Sequence, residues 1–69
     1  MFNKNEFKAQ IVKKGLTVKK IAESLGINEA TVYRKINADG DFTREEINKL
    51  IDILQIDNPM DIFFAEQLA

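Results

Sequence analysis

Cysteine and histidine are both missing from this 69-residue chain. Without cysteine there is neither a disulfide framework nor a thiolate zinc site, so hydrophobic packing has to supply the stability. Without histidine the usual general base and the commonest metal ligand are gone, and an enzyme would have to work with carboxylates, lysines or the one tyrosine. No phosphate-cradling glycine loop is present. Asp39 and Asp41 flank Gly40 but lack the further ligands of a calcium loop, so they read as a solvated turn and the chain reads as a non-enzyme. Apolar residues never run to the roughly 20 that a membrane span needs, and the start MFNKNEFK has no apolar signal region. A cytoplasmic protein without a membrane partner is expected, folded as one small domain over residues 1–69.

Charge is nearly balanced at -1, but unevenly placed. Residues 1–35 hold eight Lys or Arg against three acidic residues, a balance of +5, and residues 36–69 hold two against eight, a balance of -6. A basic front suits a polyanionic partner, while the same charges also serve to solvate a helical surface.

What is present is a repeated helix-start signal: an apolar residue, a polar cap, and a second apolar residue four positions after the cap. Phe2, Asn3 and Phe7 follow it, with Glu6 placed to complete a capping box. Leu16, Thr17 and Ile21 follow it next, then Ile27, Asn28 and Val32, then Phe42, Thr43 and Ile47 with Glu46 as box partner. Asn58 before Pro59 is a weaker case, in which proline occupies the first helical position. These starts predict helices over 4–14, 18–25, 29–37, 44–54 and 59–67, with Gly15 and Gly26 as left-handed C-terminal residues. No strand is expected. Phe7, Ile11, Ile21, Leu25, Val32, Ile36, Ile47, Leu50, Ile51 and Leu54 supply one core, and the fold class is all-α, a compact five-helix bundle.

The stretch TVKKIAESLGINEATVYRKIN, Thr17 to Asn37, organises the rest. Ile21 and Leu25 anchor one helix and Val32 and Ile36 the next, each pair at i, i+4, with Ala22 small where two helices must approach. Gly26 pivots between them. That spacing is the pattern of a helix-turn-helix, in which the second helix enters the major groove of double-stranded DNA.

Leu16-Thr17, Ile21-Ala22, Leu25-Gly26-Ile27, Thr31-Val32 and the Asn37 to Gly40 stretch, followed by a fourth helix ending in Leu54-Gln55-Ile56, resemble the lambda-repressor-like, or Cro/CI-type, helix-turn-helix family of phage and bacterial regulators. The resemblance implies base contacts from Glu29, Ala30 and Arg34. It implies contacts to the DNA backbone from Thr17, Asn28, Thr31 and Asn37, with Lys19, Lys20, Lys35 and Lys13 or Lys14 on phosphates. It also implies a small Cro-type repressor or a modulator of repression of a temperate phage, working on the nucleoid of a bacterial host without cofactor or small-molecule ligand. Two positions depart from the family's pattern. Val18 stands where glutamine commonly touches phosphate, and Glu29 gains only where a cytosine lies opposite.

Met60, Ile62, Phe63 and Phe64 bring more apolar area than a small bundle needs. They are expected either to cap the core or to form a protein interface, with a second copy in a homodimer or with a partner repressor protein.

Overall fold

Four of the five helices begin where the cap pattern places them. The structure is a computed structural model that describes residues 1–64. In chain order the helices are α1 Lys4–Lys13, α2 Val18–Leu25, α3 Glu29–Asn37, α4 Arg44–Leu54 and α5 Met60–Phe63, and the described residues contain no strand. Each of the first four starts has its side-chain cap. Asn3 accepts from the Glu6 N–H at 3.1 Å, Thr17 from Lys20 at 3.2 Å, Asn28 from Thr31 at 2.7 Å and Thr43 from Glu46 at 3.1 Å. These bonds satisfy backbone donors that have no partner within the helix.

The capping boxes divide. Thr43 and Glu46 complete theirs, with the Thr43 N–H donating to Glu46 Oε1 at 2.9 Å. The box expected at Glu6 does not form, because the Asn3 N–H donates instead to the Ile62 carbonyl of α5 at 2.6 Å. A tertiary acceptor has displaced the local one, and Glu6 accepts from Gln10 Nε2 at 3.1 Å. Pro59 has helical dihedrals but no side-chain cap bond, and α5 begins one residue later than expected. The part of that helix expected over residues 65–67 lies outside the described residues.

The turns at both ends of α2 are each built on one apolar residue used twice. At the end of α2 the Gly26 N–H bonds the Glu23 carbonyl and the Ile27 N–H reaches back to Ala22 at 3.1 Å, which is a Schellman closure with Gly26 left-handed at φ 72°. Ile27 therefore closes α2 and, one residue before the Asn28 cap, starts α3. Leu16 does the same between α1 and α2, its N–H bonding the Ile11 carbonyl at 2.9 Å. Ile27 thereby links the end of α2 directly to the start of α3, the two helices of the motif.

One cluster of buried side chains holds the bundle together, with α2 packed on α3 and α4 and α1 packed on α5. Phe7, Ile21, Val32, Ile36, Leu50 and Leu54 are completely or almost completely enclosed. Four phenylalanines, Phe2, Phe7, Phe42 and Phe63, form an aromatic group at one end of the core, with ring centroids 5.2 Å apart for Phe2–Phe7 and 5.8 Å for Phe7–Phe42. Such spacing lies in the range of favourable tilted ring pairs. Ile47 and Ile51 depart from expectation. They are half-buried and line a groove with Met60 and Phe64, whereas Ile56 is buried in the core.

Candidate nucleic-acid interface

The surface of interest is the outer side of α2 and α3, and the core decides which residues reach it. Val32 and Ile36 face inward, Thr31 and Lys35 are half-buried, and Glu29, Ala30, Tyr33, Arg34 and Asn37 are exposed. The three residues expected to read bases, Glu29, Ala30 and Arg34, thus share the open side of α3. On α2, Lys19 and Lys20 are exposed in the first turn, and Thr17 and Asn28 are exposed caps.

Besides the Thr17 cap, three of the side chains expected on the DNA backbone are engaged inside the chain. The Thr31 hydroxyl donates to Asn28 Oδ1 at 2.9 Å, so both side chains are held by the cap of α3. Lys35 turns away from the open side. Its Nζ lies 2.9 Å from Glu46 Oε1, with both side chains 14% exposed, and the pair ties α3 to the first turn of α4. Burial pushes the Glu46 carboxyl up. The hydrogen bond from Lys35, the N–H and hydroxyl of Thr43 and the Lys35 charge outweigh that and hold it below its ordinary value. Lys35 is thus paired with a carboxylate within the fold.

Val18 is half-buried and packs against the core. Asp39, read from the sequence as part of a solvated turn, accepts from the Phe2 N–H at 3.1 Å and ties the N-terminal segment to the loop after α3. Among the described residues no group of three or more His, Cys, Asp or Glu side chains is placed to hold a metal ion.

Two helices joined by a turn, a capped second helix and an open polar face on it are the geometry of a DNA-reading helix-turn-helix. Residues 7–67 match the model of the Cro/C1-type helix-turn-helix DNA-binding domain. The chain belongs to that family. No curated protein and no solved structure matches it. Within the Cro/C1-type domain, α2 and α3 are the helix-turn-helix, and the family is one of DNA-binding regulators and not typically of enzymes. No helix among the described residues is long and apolar enough to cross a membrane.

Tyr33, for which the resemblance implies no DNA contact, is 45% exposed on the open side of α3. A helical projection of the sequence contains the signal: Tyr33 stands one residue after an inward anchor, as does Asn37. Of the four residues expected at an interface, Ile62 and Phe63 are 2% and 6% exposed and belong to the chain's own core. Met60 and Phe64 remain on the surface. With Arg44, Ile47, Asn48, Ile51 and Pro59 they line a groove of about 400 Å³ between α4 and α5.

Proposed function

We propose that this protein is a small transcription regulator that represses by binding a pseudo-palindromic operator as a pair of copies, in a Cro-like phage switch between lysis and lysogeny. The observation that carries this reading is the open face of α3, where Glu29, Ala30 and Arg34 share one exposed arc while Val32 and Ile36 are buried. Arg34 donates two hydrogen bonds to a guanine, Ala30 meets a thymine methyl and Glu29 accepts from a cytosine amine. Lys19 and Lys20 bond phosphates beside α2, with Thr17, Asn28, Thr31 and Asn37 along the same backbone. One α3 in one groove gives little affinity, so two copies act on half-sites about 34 Å apart, meeting through Met60 and Phe64. The test is gel-shift titration against the DNA flanking its own gene. Arg34→Ala is expected to lower specific affinity by about 1–3 kcal/mol. Unchanged operator affinity would remove α3 as the reader.

A second reading rests on Glu29 at the head of α3 and on the exposed Met60 and Phe64. In it the chain is a modulator of repression, or antirepressor, that binds a partner repressor protein. Coexpression with the neighbouring repressor and size-exclusion chromatography separate the two readings. Joint elution that survives Arg34→Ala supports the second, and separate peaks at micromolar concentration count against it.

A further inference from the structure

We propose that Tyr33 is a specificity-determining residue of α3, whose ring packs on the C5-methyl group of a thymine in the major groove. The proposal rests on the DNA-reading function above and adds a reader to it. At about 100° per residue around a helix, the exposed side chains of α3 fall in the order Glu29, Tyr33, Asn37, Ala30, Arg34, an arc of about 140°. Burial agrees with this order, since Val32 and Ile36 are enclosed and Thr31 and Lys35 are half-buried on the remaining side. Tyr33 lies inside the arc, between Glu29 and the pair Ala30 and Arg34. A duplex that meets those three also meets the phenol ring.

The ring takes no part in the core. It is 45% exposed, whereas Phe2, Phe7, Phe42 and Phe63 are all at 8% or below. It sits at the fifth position of α3, on the helix turn that follows the capped N-terminus. Of the four bases, thymine alone shows an apolar group in the major groove, and a phenol offers an apolar body with one hydroxyl at its tip. Tyrosine also brings no charge, so its contribution is a preference for sequence and not a counterion-release effect of the kind that lysines supply.

The experiment selects bound duplexes from a pool with randomised half-sites, using the wild type, Tyr33→Ala, Tyr33→Gln and Tyr33→Phe. Deoxyuridine is then placed at each selected thymine and affinities are measured. Because Tyr33 is exposed, all variants are expected to keep the wild-type circular dichroism spectrum and melting temperature. The wild type and Tyr33→Phe should share a thymine preference at one position of the half-site, absent from Tyr33→Ala and Tyr33→Gln. Loss of that methyl should cost the first two proteins about three- to fivefold in affinity and the other two nothing. Identical sequence preferences in all four proteins would overturn the proposal and leave the DNA-reading function standing. So would a uniform loss in Tyr33→Phe without sensitivity to deoxyuridine, which would mark the hydroxyl as a phosphate contact. Failure of the wild type to select any sequence would overturn both.

Discussion

Gly26 and Gly40 share nearly the same backbone, at φ 72° and 71°, yet they carry different loads. A Cβ built on Gly26 meets nothing within 4 Å, whereas one on Gly40 falls 2.3 Å from Cγ of Phe2. Gly26→Ala therefore costs only the strain of a left-handed alanine, about 1–2 kcal/mol. Gly40→Ala adds a collision with the Phe2 ring, which is packed against Phe7 and Phe63 and cannot swing clear. Overpacking of that kind costs a further 1–3 kcal/mol or so. Urea unfolding of the two variants is the check, and equal losses would mean that Phe2 is not seated against this loop. The glycines were legible in the sequence as turn residues. The close approach of Phe2, 38 positions earlier in the chain, was not, because only the folded core brings the N-terminal segment under the loop after α3.

At the scale of helices, the motif is coupled to the rest of the bundle through Lys35 and Glu46. The resemblance implies a phosphate contact from Lys35. The structure pairs it with Glu46 in the N-terminal turn of α4. Lys35→Met is accordingly expected to leave the slope of log affinity against log salt unchanged, whereas Lys19→Met or Lys20→Met should each reduce it by about one. Binding titrations at several salt concentrations distinguish these outcomes, and an equal reduction for Lys35→Met would return it to the phosphate contacts. The same pair gives a pH dependence. Glu46 has a folded pKa below its unfolded one, so its contribution to stability is complete above the unfolded value and is lost as pH falls through the folded value. Glu46→Gln should therefore flatten the loss of stability on acidification below the ordinary glutamate range, measured by urea unfolding from pH 7 to pH 3. α4 also ends on a left-handed Gln55, at φ 49°, with the Ile56 N–H returned to the Ile51 carbonyl at 3.1 Å. No glycine announces that end. The signal was the apolar Ile56, which repeats the role of Leu16 and Ile27.

At the scale of the molecule, a chain of 69 residues has roughly 3–10 kcal/mol of stability in all. Phe7 is completely buried and its ring pairs with Phe2, Phe42 and Phe63. Truncating a buried phenylalanine to alanine costs about 3–5 kcal/mol. Phe7→Ala is thus expected to leave a substantial unfolded fraction at 25 °C, seen as lost helical signal in circular dichroism. Phe64→Ala, at an exposed position, should keep the wild-type spectrum. Equal spectra for both would show that the aromatic group does not hold α1 and α5 on the bundle.

The sequence by itself determined the starts of the first four helices, the motif and its inward side. Caps, glycines and i, i+4 anchors act over four residues or fewer, and local hydrogen bonding settles them whatever the rest of the chain does. Tertiary structure decided whatever depended on partners far apart in the chain. It gave the Asn3 N–H to Ile62 and not to Glu6, drew Lys35 to Glu46 and away from the open face, and buried Ile62 and Phe63 while leaving Met60 and Phe64 in solvent. These depend on groups far apart in the chain, which only the packing of the core brings within reach.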